Sequence, residues 1–232
     1  KWARESAHIS LEDAAHKLQV PVEKLLQWED GTELPTIKQA EKLALIYRRP
    51  FALFFLPEIP KDFQPLQDFR RRGAKQLSTA AIFIIRELRE KQSWISNFIE
   101  ENKEKKLPFV GKYSIKTKPE IVAQDILNVL KITPIRYKNE PLKEWINNSE
   151  NSGIFISRSS SVHSRMKIDD KEIQGFALSD EYAPFVFVNS GDWKTAQLFT
   201  LVHELAHIWI AESGISVDVE NLQQDLNIHP TE

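Results

Sequence analysis

The residues best suited to chemistry lie in one short segment, His203-Glu204-Leu205-Ala206-His207. On a helix, two histidines four residues apart project from the same face, one turn apart. Their ring nitrogens can then bind one tetrahedral zinc ion at about 2.0–2.1 Å. Glu204 follows the first histidine and can act as a general base toward a water molecule at that site. The spacing predicts a hydrolytic metal site on a helix.

The same five-residue pattern also occurs by chance in unrelated helices, where the histidines have no shared role. The surrounding sequence favours the chemical interpretation. An apolar, β-favouring run at residues 185–189 precedes the segment, small residues surround it, and the pattern has no second copy.

Composition limits the classes of protein and of site. The chain has 232 residues, of which 41% are hydrophobic and 28% charged, as in ordinary globular domains. It has no cysteine, which excludes disulfides, thiolate metal ligands and a cysteine nucleophile. No apolar run approaches the ~18 residues of a membrane span. With no signal peptide visible, we expect a cytoplasmic protein whose natural N-terminus lies upstream of Lys1.

Charge is distributed unevenly along the chain. Residues 61–118 carry fourteen Lys or Arg against seven Asp or Glu, whereas residues 119–232 carry nine against seventeen. This asymmetry indicates either different partners for the two regions or solvated helical faces.

The first 60 residues predict three short helices. Ser10 is a candidate N-cap with Asp13 in the capping-box position, and Pro21 begins a second helix. Gly31 can end that helix in the left-handed conformation, and a third helix begins at Thr36.

This order resembles the helix-turn-helix domain of the Xre family of repressors. The matching residues are Ser10 to Ala15, Val20, Trp28 to Gly31, Pro35-Thr36 and Leu43-Ala44. The resemblance implies that residues 21–29 enter the major groove of double-stranded DNA. Their candidate DNA-binding residues are Glu23, Lys24 and Gln27. Because residues 1–60 are slightly acidic, a protein-contact or dimerisation module is the alternative.

The middle of the chain predicts a helical connector over residues 61–118. A segment rich in phenylalanine and proline, residues 50–75, is expected to pack against the following domain. Arg70, Arg71 and Arg72 then contact either DNA phosphates or acidic side chains. Helices are predicted over residues 78–106, 119–131 and 142–147.

Strand signals occur at residues 153–156, 174–178 and 185–189, followed by a helix that carries the motif to about residue 211. We therefore predict an α+β fold. An all-α helix-turn-helix domain (1–60) and the connector precede a mostly helical, zincin-like domain (119–232) with a small antiparallel sheet. We expect this last domain to be C-terminally incomplete.

Residues 150–232 also resemble the ImmA/IrrE family of metallopeptidases. The matching segments are 175–178, 183–189, 196–201, 203–207, Trp209 and Ser213-Gly214. The resemblance implies a zinc-dependent protease that cleaves a repressor, or a relative linked to toxin–antitoxin or phage systems. It also suggests that residues 185–189 form an edge strand that pairs with the substrate, with an internal core strand as the alternative.

A catalytic zinc needs a third protein ligand. The resemblance implies a glutamate on the helix after the motif, and Glu232 is the candidate. The other candidates are Asp218, Glu220, Asp225 and His229. His163 is a candidate for stabilising a tetrahedral intermediate, or a solvated loop residue.

Two functions follow from these patterns. The first is a zinc endopeptidase, with Glu204 as base, that cleaves a repressor or antitoxin-like protein. The second is a transcription regulator or toxin–antitoxin component that senses a ligand or partner without proteolysis. The expected partners are a protein substrate, double-stranded DNA and a second copy in a homodimer, but no membrane.

Overall fold

The computed structural model describes residues 1–58, 77–133, 140–159, 168 and 172–211, together with the backbone of 67–68 and 214–216. The chain divides into two compact units. One comprises Lys1–Pro65 and Gln76–Arg86, and the other Leu66–Lys75 and Glu87–Glu232. This division differs from the predicted three segments, because residues 87–118 group with the second unit and do not stand apart as a connector.

The first unit is helical. Its elements are α1 (Trp2–Glu5), α2 (Leu11–Leu18), α3 (Val22–Asp30), α4 (Ile37–Tyr47), the 3-10 helix Phe51–Phe55 and the beginning of α5 (Thr79–Glu101). A three-residue connection joins α2 to α3, which pack on each other together with α4.

Local capping sets the ends of these helices as predicted. The Ser10 hydroxyl accepts a hydrogen bond from the Asp13 backbone N–H at 3.0 Å. Gly31 ends α3 with a φ of 76°, and Thr36 forms a capping box with Gln39. These caps satisfy backbone groups that helix ends leave without partners.

The second unit contains the rest of α5 and three further helices, α6 (Pro119–Val129), α7 (Pro141–Asn151) and α8 (Lys194–Trp209). Its strands are β1 (Gln67–Asp68), β2 (Phe155–Arg158), β3 (Gly175–Leu178), β4 (Phe185–Val188) and β5 (Gly214–Ser216). They form one sheet in the order β1-β5-β3-β4-β2.

The predicted antiparallel sheet is wrong, because the sheet is mixed. β3 and β4 form the expected antiparallel pair, with Phe176 opposite Phe187. However, β2 pairs with β4 in parallel, and β1 pairs with β5 in parallel. A parallel pair needs a crossover connection. Here the crossover from β2 to β4 includes β3. In the sheet, β4 lies between β2 and β3.

The interpretation of residues 185–189 as an edge strand is also wrong. β4 pairs with β3 on one side and β2 on the other, and all four of its residues are buried. Its backbone hydrogen-bonding groups on both sides therefore belong to the sheet, and a peptide could not pair with it.

The motif helix, α8, packs on β3 and β4 on one side and contacts α6 and α7 as well. Its fully buried residues Leu201, Leu205, Ile208 and Trp209 join a core cluster with Ile126, Trp145 and Val186. This burial supplies most of the free energy that holds α8 in place.

α8 begins at Lys194. The preceding residues are held by side chains: the Asn189 amide oxygen accepts from the Gly191 N–H at 3.1 Å. The buried Gln197 side chain donates to the Asp192 carbonyl at 2.6 Å and accepts from Arg158 at 2.8 Å. Trp193 is the N-cap residue and makes no side-chain capping bond.

Among the described residues, no helix is both long enough and apolar enough to cross a membrane.

The last turn of α8 is fixed by Asp125 on α6. Its carboxylate accepts a hydrogen bond from the Trp209 indole N–H at 3.0 Å and from Lys112 at 2.7 Å. Partial burial opposes ionisation of Asp125, but the hydrogen bonds from Lys112 and Trp209 outweigh it and lower the pKa of the carboxyl below 3.8.

We predict that Asp125→Ala lowers the free energy of unfolding by about 2 kcal/mol at pH 7, because it removes hydrogen bonds to a charged group. Since the folded pKa of Asp125 is lowered, its contribution is present at neutral pH and is lost as the pH falls through that pKa. Urea unfolding of both proteins at several pH values measures this. A difference between them that stays constant down to pH 3 would contradict the assignment.

Candidate metal centre

The two motif histidines face each other on α8. The Nε2 atoms of His203 and His207 lie 3.2 Å apart. Their ring centroids are 4.9 Å apart and the ring planes are nearly perpendicular, at 81°. The same nitrogen of each ring therefore lies next to the other, as expected for two histidines four residues apart on a helix.

Both rings are partly buried, and burial favours their neutral form. It lowers the pKa of His203 to about 4, with a further contribution from His207, and it also lowers the pKa of His207. Both imidazoles are thus neutral at pH 7, which is the protonation state in which histidine binds a metal.

The separation of the two nitrogens fits a shared metal ion. Nitrogens that each lie ~2.05 Å from a tetrahedral zinc are about 3.3 Å apart, close to the observed 3.2 Å. A hydrogen bond from one ring to the other gives a similar distance when one Nε2 carries a proton. The distance is therefore compatible with a shared zinc ion as well as with a hydrogen bond between the rings.

Glu204 lies on the opposite side of the helix from solvent and is fully buried, at 0% exposure. A buried carboxylate is costly to a fold, so a titratable group in this position next to a metal-binding pair is a candidate for a chemical role. Its side chain is directed toward β3, where its Cγ lies beside Gly175.

Gly175 leaves the space that Glu204 needs. A Cβ atom added at residue 175 would lie 3.1 Å from Glu204 Cγ, 2.5 Å from Thr200 Cγ2 and 2.9 Å from the Phe187 carbonyl oxygen. No side chain fits there unless α8 or β4 moves. The distance between α8 and the sheet, and with it the position of Glu204, therefore depends on this glycine.

The third predicted metal ligand, Glu232, lies outside the described residues, as do Asp218, Glu220, Asp225 and His229. His163 and the three arginines at 70–72 also lie outside them. Within the described part of the chain, no group of three or more His, Asp or Glu residues could hold a metal ion. Of the predicted metal ligands, only His203 and His207 lie within the described residues.

The predicted DNA-binding residues lie on α3 in the first unit. Glu23 and Gln27 are exposed, and Lys24 is half-buried. Lys24 forms an ion pair with Glu33, with 2.7 Å between Nζ and the carboxylate. This pair offsets the single positive charge that the predicted recognition face carries.

Comparison with known protein families gives a match within the second unit. Residues 151–228 match the family model Peptidase_M78, the IrrE N-terminal-like domain. The match covers a third of the chain and includes β2, β3, β4 and α8. It supports the predicted resemblance to the ImmA/IrrE family and a metallopeptidase-type domain, for which zinc is the typical metal. No curated protein and no solved structure matches the chain.

The family match does not extend to the first 60 residues. The Xre-type helix-turn-helix therefore stays a prediction, supported by the caps and the short α2–α3 connection.

Two residues that support the site were not identified from the sequence in these roles. Asp125 reaches Trp209 from a helix 84 positions away, and no local pattern reveals such a contact. Gly175 was noted as part of a family resemblance, but its contact with Glu204 depends on the packing of α8 on β3. A glycine within a strand pattern is a general signal of close approach.

We predict that Gly175→Ala lowers the free energy of unfolding by about 1–3 kcal/mol, because overpacking forces the surrounding structure to move. Gly191→Ala is the matched control, since its added Cβ would come no closer than 3.4 Å, to Asn189 Oδ1. Thermal and urea unfolding of the two variants measure the difference. Equal stabilities would show that the space beside Glu204 is not as restricted as the structure indicates.

Proposed function

We propose that the second unit is a zinc-dependent endopeptidase that cleaves a repressor or antitoxin-like protein. The observation that carries this proposal is the 3.2 Å separation of the His203 and His207 Nε2 atoms beside the buried Glu204. The family match over residues 151–228 supports the same reaction class.

His203, His207 and, as third ligand, Glu232 would hold the metal. When bound, zinc lowers the pKa of a coordinated water toward ~7 and polarises the peptide carbonyl. Partly buried, neutral imidazoles suit this role because they need not lose a proton at pH 7. Glu232 is assigned from the family resemblance and from its place in the sequence.

Glu204 would move the protons of the reaction. Its carboxylate accepts a proton as the water oxygen forms a bond to the peptide carbon. It then donates that proton to the amide nitrogen as the carbon–nitrogen bond breaks. The products are a new carboxylate and a new amine. Contact of α8 with β3 and β4 restricts the orientation of Glu204 and limits the access of bulk water to it.

The second candidate is a regulator that recognises a ligand or partner through this domain without cutting it. In such a regulator, the Lys24–Glu33 ion pair would offset the single positive charge on the predicted recognition face of α3. Because phosphate neutralisation by basic residues supplies much of DNA affinity, α3 would be a weak DNA reader. Contact with a protein partner or a second copy then accounts better for the N-terminal helices.

Glu204→Gln separates the two candidates, because it removes the base and keeps both histidines. We predict that the variant retains its metal and that its cleavage rate falls at least ~100-fold. The measurement incubates the native-length protein with the proteins encoded beside it in the genome and identifies fragments by mass spectrometry. Glu150→Gln, an exposed change on α7, is the control.

Unchanged cleavage by Glu204→Gln would rule out its role as the base. If the parent protein cuts no neighbour-encoded protein while Glu204→Gln keeps full activity in the cell, the regulator is the better account.

A further inference from the structure

A groove runs beside His203 within the second unit, between α8, α6, Trp145 of α7 and the loop of residues 114–117. It has a volume of about 530 Å³. Its floor consists of core residues that are at most 8% exposed: Val122, Ile126 and Trp145. Volumes of this size are typical of sites that enclose a ligand or a large side chain.

Two large apolar residues that line the groove are exposed to solvent. Ile115, on the loop, is 74% exposed, and Phe199, on α8, is 54% exposed. Exposed apolar residues that adjoin a concave, buried floor are more typical of a binding surface than single exposed residues are. The two come from separate elements, so the apolar character is a property of the groove as a whole.

The groove is continuous with the metal centre, because His203 is one of the residues that line it. A side chain held in the groove therefore has its backbone close to the metal-binding pair. Among the described lining residues, His203 is also the only one that titrates. An apolar group fits this lining, whereas a charged side chain would lose its hydration without gaining a partner.

The charge beside the groove comes from the loop. Lys112 is paired with Asp125, but Lys116 and Lys118 are exposed and have no ion-pair partner in the described part of the chain. Their positive charge favours acidic residues next to the bound apolar group.

We propose that this groove is the specificity pocket of the endopeptidase, and that it takes a large apolar side chain next to the scissile bond in a substrate segment with acidic neighbours. This inference rests on the proposed function, because a peptide brought to His203 is there to be cut. Leucine, isoleucine, methionine and phenylalanine are the side chains that fit the lining.

The test measures binding separately from cleavage. The probes are fluorescein-labelled peptides of one frame, Gly-Ser-Asp-Ala-X-Ala-Asp-Ser-Gly, in which X is leucine or alanine. The zinc-loaded, native-length Glu204→Gln variant binds them without turnover, and the dissociation constants come from fluorescence anisotropy. We expect the leucine peptide to bind about tenfold more tightly than the alanine peptide. A third peptide, with lysines in place of both aspartates, is expected to bind more weakly.

The groove variants are Phe199→Asp and Ile115→Asp, each made in the Glu204→Gln protein. The control is Trp193→Asp, an exposed large apolar position at the start of α8 that does not line the groove. We expect the preference for leucine to disappear in both groove variants and to persist in the control. Two variants on separate elements ensure that misfolding of one does not decide the result.

Equal binding of the leucine and alanine peptides, or a preference that both groove variants retain, overturns the proposal. A dimer that Phe199→Asp disrupts and Trp193→Asp does not, with no peptide preference, assigns the groove to a second copy of the chain and also overturns it.

Cleavage by the parent protein distinguishes this inference from the proposed function. If the parent cuts a library of peptides without favouring apolar residues at either side of the bond, the pocket fails and the endopeptidase stands. If the leucine peptide binds with the expected preference and no peptide is cut, the pocket stands as a binding site and the proposed function fails.

Discussion

The contact between α8 and the internal strands β3 and β4 is the constraint on which the rest of the second unit depends. α8 presents Leu201, Glu204, Leu205 and Ile208 to the sheet and to the core, while His203 and His207 are only partly buried. Gly175 allows that approach, because a side chain at this position would collide with α8 and with β4. The close packing of α8 on β3 thus sets both the depth at which Glu204 is buried and the direction of the histidine pair.

The two ends of α8 are held by polar contacts that the hydrophobic core cannot supply. At its beginning, the buried Gln197 side chain links the Asp192 carbonyl to Arg158 of β2. At its end, Trp209 donates to Asp125. Hydrophobic burial is not directional, whereas hydrogen bonds to buried groups fix a helix along its axis and about it. Metal ligands a turn apart need such restraint, since coordination tolerates little displacement.

Much of the helical structure could be predicted from the sequence, because the signals for helices are local. The caps at Ser10, Gly31 and Thr36 and the spacing of apolar residues predicted α2, α3 and α4 close to their observed bounds. The histidine pair was equally predictable, because a spacing of four on a helix leaves few arrangements. The three strands next to α8 were also identified, to within one or two residues.

The sheet and the groove were harder to predict, because both depend on contacts between distant residues. The sequences that form β2 and β4 are the same whether the strands pair in parallel or antiparallel. The position of β4 between β3 and β2 follows from the crossover. The groove joins Ile115 to Phe199 across 84 positions of sequence, and neither residue has a local pattern that marks it. The third ligand could be assigned only from family resemblance.

The most direct test of the central claim is the metal content of the native-length protein after dialysis, measured by inductively coupled plasma mass spectrometry. The proposed site predicts about one zinc ion per chain in the parent, none in His203→Ala, and an unchanged amount in a control, His16→Ala, at an exposed position on α2. No zinc in the parent, or the same zinc content in His203→Ala as in the parent, would contradict the assignment of His203 and His207 as metal ligands.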